Sequence, residues 1–534
     1  MLPAGESVRI LSESRHAEGP LIMPWKLARV TLLALFVVGA SISAQLAQVC
    51  NDDDVAGEIL VELVPGVSVD DVAAAYGLTP LEGITQLDFW RMDVGQGDAE
   101  AILDAMEGDA DVVAAEPHNL FETPEGIQIS IPDIEVGATP QDVRDQPAGD
   151  LIHTDTQTVY TGSGIVVAVP DTGISLSHPE LVESLINGGI DMLGGNTTAE
   201  AIPYGEDMDA DGEVDESLHH STFVAGLIRL VAPDVRILPV RILDAEGRGT
   251  AFALARGIVH AADQGVDILN LSLSVVDPCD STDELIARAL EYAAASGVVV
   301  IAAAGNRGLP VVDFPANLDE TIAVAAVGLD LTKTGFSNYG SEIDLSAPGL
   351  DLLSLYGDGE FARWSGTSFA APLVSGAVAL LLQKYPCLDR SEVRDLLAAT
   401  TQPDANPGLA GLMGAGVLDA RAMAQALIDA HCLAAREAPQ TGTIVSWSPI
   451  LGAVSYDVAR GDVGELQETG DAVDLGSLWC VTNDATTTEA LPDGDVPAAG
   501  SAYFYLFRTD DGEGYGTDAA GKPRLPGLGD CSEE

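Results

Sequence analysis

Four residues stand out by their types and settings. Asp171 follows the apolar run IVVAVP in VAVPDTGISLSHPEL, and His220 sits in LHHSTFVAGLI, where a helical pattern begins. Asn306 follows VVVIAAAG, and Ser368 opens the apolar stretch of RWSGTSFAAPLVSGAVALLL. Singly, each has an ordinary explanation: an Asp capping a turn, a His filling core or surface, an Asn turning the chain, a Ser capping a helix. Together they make a reacting set. A serine hydroxyl attacks as nucleophile, an imidazole takes its proton, and a carboxylate fixes the tautomer and stabilises the imidazolium. The Asn306 side-chain N–H, beside the Ser368 backbone N–H, would hold the negative charge that develops on an attacked oxygen.

Such groups need elements that bring them to one place. From about residue 150 the runs GIVVAVPDTG, VRILPVRIL, VDILNLSLS, GVVVIAAAGN and ETIAVAAVG read as parallel strands buried on both faces. Between them TAFALARGIVHAADQG and TDELIARALEYAAASG have helical spacing and close on glycine. The pattern predicts a doubly wound α/β domain with a parallel sheet over 150–432, whose active groups lie at the carboxyl ends of its strands. Residues 45–121 read as a small α+β domain of split βαβ type, from GEILVELVPGVSVDDVAAAYGL to the last strand VVAAEPHNL. The polar stretch 122–149 reads as a linker and processing region. Residues 433–534, with aromatic alternating strands and Gly/Asp turns, predict a β-sandwich. No repeat of fixed period is present.

Charge narrows the partners. The chain of 534 residues carries 24 Lys and Arg against 83 Asp and Glu, a formal net charge of −59. Only Lys26, Lys333, Lys384 and Lys522 are lysines. Such a surface repels nucleic acid and anionic lipid, and suits cation binding and a saline medium. Residues 23–44 have two cations, an apolar core and small residues in the order of a secretory signal peptide, and 1–22 form an extension that translation can bypass by starting at Met23. The apolar run is about 15 residues, against the ~20 of a membrane span, so no stable membrane anchor is expected. Export permits disulfides, but six cysteines in 534 residues make no disulfide scaffold, and none has zinc-site spacing. Cys387–Cys432 and Cys480–Cys531 are conceivable pairs, leaving Cys279 over once residues 45–121, which hold Cys50, are cut away.

The motifs DTGI, HSTFVAG, AAAGN and SGTSFAAP occur in the order and at the spacings of the subtilisin-like serine proteases, the subtilase family, and the chain resembles that family over about 158–430. The resemblance implies a secreted serine endopeptidase made as an autoprocessed zymogen and acting on protein or peptide substrates. Carried over motif by motif, it makes Asp171, His220 and Ser368 the triad and Asn306 the oxyanion residue, with His219 a neighbour. It further implies that Gly247, Arg248 and Gly249, with Ser272, Leu273 and Ser274, flank an extended peptide that adds between them as a strand. Ala303, Ala304 and Gly305 would line the pocket for the side chain before the cut bond. Residues 57–121 resemble the family's inhibitory propeptide, and the tail looks like a fibronectin type III module with Trp447 and Tyr456 in its core. Three departures stand out: Ser221 where the family has Gly after the histidine, Ser274-Val275 for Gly-Gly, and Phe369 for Met. The first two favour a rival reading, a catalytically weak scaffold whose tail serves binding or adhesion. No cofactor is required for the chemistry. A structural calcium ion is suggested by EDMDADGEVDE, where Asp207, Asp209, Asp211 and Asp215 alternate as in a calcium loop, although Leu218 stands where the closing Glu belongs. A solvated acidic loop is the plainer alternative.

Overall fold

The computed structural model describes residues 54–123, 131–154, 160–194, 197–205, 214–274, 284–386 and 388–426, and beyond these the backbone of strands between 433 and 525. The leader segments 1–22 and 23–44, Asp207, Asp209, Asp211, Val275 and the expected disulfides lie outside the described residues, as do the Trp447 and Tyr456 side chains.

The first folded segment runs β1 (Asp54–Leu63), α1 (Val69–Tyr76), β2 (Thr79–Ile84), β3 (Phe89–Asp93), α2 (Ala99–Met106) and β4 (Val112–Glu122). Ser68 and Asp98 cap the two helices, each accepting a backbone N–H from the first turn. Strand β1 pairs antiparallel with β3 and β4, and the helices close Ile59, Val61, Leu63, Val72, Met92 and Met106 into a core. The reading of two strand–helix–strand units lacked β2, whose TPLEGI has little apolar alternation.

Next come β5 (Asp133–Ile134), α3 (Pro140–Arg144) and α4 (Pro147–Leu151), in the stretch read as linker. Thr139 and Asp142 form a reciprocal capping box on α3, and Val143 and Ala148 are buried in the main core.

That core is built on a parallel sheet of seven strands in the order β13-β12-β11-β10-β6-β8-β7. They are β6 (Val166–Asp171), β7 (Ile190–Asp191), β8 (Arg236–Arg241), β10 (Ile268–Leu271), β11 (Val299–Ala303), β12 (Thr321–Val327) and β13 (Leu345–Pro348). Side chains alternate between two cores: Val299, Ile301 and Ala303 of β11 face one, Val300 and Ala302 the other. The first core packs against α5 (His220–Val231) and α8 (Thr367–Lys384), the second against α6 (Ala251–Asp263) and α7 (Glu284–Ala295). Burying each large aliphatic side chain contributes about 1.5–3 kcal/mol. Because α8 is enclosed by the sheet and its neighbours, all its residues are buried. It is long and apolar enough to span a membrane, yet here it is a core helix. The hairpin β14 (Leu352–Tyr356) and β15 (Glu360–Trp364) takes β5 as its third strand. Helices α9 (Arg390–Thr400) and α10 (Ala420–Gln425) follow.

Strand order sets the site. From β6 the chain runs to the edge strand β7, returns through α5 to β8 between them, and then crosses back over β6 through α6 to β10. This reversal leaves a crevice at the carboxyl ends of β6 and β10.

Beyond residue 432 the described strands are β16 (Leu433–Ala438), β17 (Gly442–Trp447), β18 (Tyr456–Asp462), β19 (Gln467–Thr469), β20 (Ala472–Asp474), β21 (Leu478–Ala485), β22 (Leu491–Asp493), β23 (Tyr503–Thr509) and β24 (Arg524–Leu525). They form sheets in the orders β16-β17-β22, β21-β18-β23 and β19-β20-β24. Their backbone pairing is antiparallel except between β20 and β24. The strand content agrees with the sequence reading, and the packing that would make these sheets a sandwich lies outside the described residues.

Candidate active site

Asp171 is the last residue of β6 and His220 the first of α5. The imidazole Nδ1 lies 2.8 Å from Asp171 Oδ2 and 3.0 Å from Oδ1, with both residues buried. The carboxylate is further held by the Thr172 N–H, at 2.6 Å from Oδ1. A carboxylate accepts only, so the network assigns the proton to Nδ1 and leaves Nε2 as the basic nitrogen. Aromatic walls exclude water: the His220 ring lies 5.5 Å from that of Trp364, edge-on, and 5.3 Å from that of Phe369. Ser221, in place of the family's Gly, is buried beside Thr172, and the His220–Asp171 contact stands at 2.8 Å. His219 turns away, its ring edge-on to Tyr356 at 4.9 Å.

Ser368 is the second residue of α8, where N–H groups converge and the helix dipole is positive. Four residues on, Pro372 has no N–H to return to the Ser368 carbonyl. That carbonyl is instead met by Ser272, whose hydroxyl donates to it at 2.7 Å. Ser272 in turn accepts from Asn270 Nδ2 at 2.9 Å, and Asn270 Oδ1 accepts from the Ser375 hydroxyl at 2.7 Å. All of these residues are fully buried, so the chain braces the turn that presents Ser368. Sequence reading placed Ser272 beside the substrate but missed this role, although a proline four residues after the serine was a signal for it.

Asn306 follows β11 closely. Its Oδ1 accepts from the Thr367 N–H and hydroxyl, both at 2.9 Å, which fixes the amide so that its NH₂ is the end able to donate. Thr367 also accepts the Gly305 N–H at 3.1 Å and so ties β11 to α8. Thr367 was not singled out from sequence.

Gly247, Arg248 and Gly249 carry the short strand β9 (Arg248–Thr250), and its partner is β4 of the N-terminal domain. The register sets Leu120, Phe121 and Glu122 against Thr250, Gly249 and Arg248, and the Thr123 N–H donates to the Gly247 carbonyl at 2.9 Å. Gly247 has φ +80, and a methyl group there would press on Ser217 and Thr123. The docked domain also caps α7: Glu116 Oε2 and Oε1 accept the Glu284 and Leu285 N–H groups at 2.8 and 3.0 Å. Ser272, Leu273 and Ser274 continue from β10, and Ala304 and Gly305 follow Ala303, the last residue of β11; all are buried.

Of the four candidate calcium ligands, Asp215 alone is described, and its two carboxylate oxygens accept the Tyr204 and Gly205 N–H groups at 2.7 Å each. Among the described residues no group of three or more His, Cys, Asp or Glu is arranged to hold a metal ion.

Fold and site together define a serine hydrolase built on a parallel α/β sheet. Residues 162–416 match the subtilase family model, and 42–118 match the fervidolysin N-terminal prodomain. Subtilisin DY of Bacillus licheniformis is 35% identical over 279 residues, which are 50% of this chain and 93% of that protein. Subtilisin E of Bacillus subtilis is 36% identical over 279 residues, covering 50% and 67% respectively. The crystal structure of fervidolysin from Fervidobacterium pennivorans, described as a keratinolytic enzyme related to subtilisin, matches in fold with TM-score 0.58. That match has 20% identity and covers 89% of this chain and 78% of the other. The chain belongs to the subtilase family. It is a serine endopeptidase with a fervidolysin-like prodomain.

Proposed function

We propose that the protein is a secreted endopeptidase, made as a zymogen that cuts itself, with Asp171, His220 and Ser368 as its triad and Asn306 as oxyanion donor. The reading is carried by the buried contact of His220 Nδ1 with Asp171 at 2.8 Å, which leaves Nε2 as the basic nitrogen. Ser368 Oγ adds to the peptide carbonyl and its proton passes to His220 Nε2; Asp171 stabilises the imidazolium. The negative carbonyl oxygen accepts from Asn306 Nδ2 and the Ser368 N–H. His220 returns the proton to the departing amine, leaving an acyl-enzyme, and a water activated by the same nitrogen releases the acid and restores Ser368.

Substrate would add as a strand beside β9, where β4 now pairs, so the prodomain inhibits by holding the substrate's own place. Processing follows β4, in the 122–149 region. Secretion is supported by the signal-like order of residues 23–44. The extracellular subtilisins resembled by the catalytic segment are consistent with it.

The test expresses residues 45–534 in high salt, beside Ser368→Ala, and follows chain mass. The unmutated chain should lose about 80–100 N-terminal residues while Ser368→Ala stays whole. If both remain intact though folded, the assignment of the nucleophile and the self-cutting zymogen both fall.

A further inference from the structure

Outside the reacting set, a buried pair of charges beside the end of β11 has no part in the mechanism. Asp313 and Arg307 face each other, the Arg307 Nη2 donating to Asp313 Oδ1. Their side chains are 1% and 10% exposed. Among the described residues the pair is only half satisfied: Asp313 Oδ2, Arg307 Nε and Nη1, and Ser274 Oγ lack a hydrogen-bond partner.

The carboxylate's position is informative. A methyl group added at Gly305, whose φ is +97, would collide with Asp313 Oδ2, so that oxygen stands directly over the Gly305 Cα. The Asp313 N–H donates to the Ala304 carbonyl at 3.1 Å, and Asn338 Nδ2 donates to the same carbonyl at 3.1 Å. The Ser274 side chain also neighbours the Asp313 carboxyl, without a formed bond to Oδ2. Asp313 therefore adjoins both Ala304–Gly305 and Ser274, the two segments that flank the side chain before the cut bond in the functional reading above.

On that reading, we infer that the Arg307–Asp313 pair plugs the primary specificity pocket and restricts the residue before the cut bond to small side chains. A large apolar side chain entering the pocket must push aside charges already removed from water and leave them unpaired. A lysine must approach with Arg307 held at the same carboxylate. Alanine or serine ends above the pair and disturbs neither charge. Burial raises the Asp313 carboxyl above the ordinary aspartate range, opposed first by the Arg307 charge, as a carboxylate without room for water requires.

The test uses the processed enzyme and tetrapeptide p-nitroanilides that differ only in the residue before the cut bond: Ala, Phe, Lys or Glu. The expected kcat/KM for Ala exceeds that for each of the others by at least about tenfold. In Arg307→Ala/Asp313→Gly, which removes both charges together, Phe should gain at least about tenfold relative to Ala. The unmutated enzyme's profile decides the matter even if that variant does not fold. Phe preferred means an open pocket, Lys preferred means the carboxylate receives cations, and Glu preferred means Arg307 receives anions; each overturns the plug. So does an unchanged Phe-to-Ala ratio in a folded, active variant. Labelling by a fluorophosphonate separates the two levels: a protein unlabelled at Ser368 overturns both readings, while a labelled protein with the wrong profile overturns the plug alone.

Discussion

Ser368 is held by more than the helix that begins beside it. Its carbonyl, orphaned by Pro372, depends on the Ser272 hydroxyl, which depends on Asn270 and Ser375. Replacing Ser272 with Ala removes this donor from a buried carbonyl, a loss of about 1–3 kcal/mol. Ser272→Ala should accordingly lower stability by that amount in urea unfolding of the Ser368→Ala zymogen, and should lower kcat more than it raises KM in the active enzyme. Replacing Asn306 with Leu should lower kcat by about 10²–10³, the range established for this donor in a subtilisin, with little effect on KM. Asp171, His220, Asn306 and Ser368 were legible because each stands in a short motif at the end of an element. Thr367, Asn270 and the Arg307–Asp313 pair were not. Their roles come from loops and helices meeting in space, and no sequence period marks them.

At the scale of elements, apolar runs named the central strands and helices, with Gly265 and Gly297 ending α6 and α7 at positive φ as their sequences suggested. The two-residue β7, the four-residue β13 and the two-residue β5 were too short to leave a pattern. The docking of the prodomain was equally hidden, since its contacts join residues far apart in the chain. Glu116 at the start of α7 acts as a cap supplied by another domain. In the uncut Ser368→Ala protein, Glu116→Ala should cost about 0.5–2 kcal/mol of stability, read by thermal or urea unfolding. His118 adds a dependence on pH. It is buried between Glu58, 2.8 Å from its Nδ1, and Phe252, and burial pushes its imidazole below the ordinary value near 6.5 against the pull of Glu58. The neutral form is thus favoured when docked, while the unfolded chain takes up a proton near pH 6.5. Stability should be full above that pH, fall as pH drops below it, and level off once the docked imidazole also titrates. His118→Leu should flatten this part of the unfolding profile; an unchanged slope would refute the assignment.

For the whole molecule, a net charge of −59 makes the compact state repel itself. Raising salt from about 0.1 to 1 M shortens the screening length from ~10 to ~3 Å, so the melting temperature should rise with sodium chloride. A flat or falling trend would show that attractive pairs such as Arg288 with Glu62 and Glu284 outweigh the repulsion. The charge was plain from composition alone, whereas its distribution over the folded surface was not. One sheet runs through two domains, because β4 of the prodomain is hydrogen-bonded to β9 of the protease. Cutting the chain after β4 and losing the prodomain strips β9 of that partner and turns it into an edge strand with unmet N–H and C=O groups. The mature enzyme therefore carries, beside its catalytic crevice, a template that any extended chain can complete, including a strand from a second copy of itself. In the zymogen proposed above, the prodomain keeps that edge covered until the chain is cut, and thereafter the mutual repulsion of highly acidic molecules would keep the edges of neighbouring copies apart.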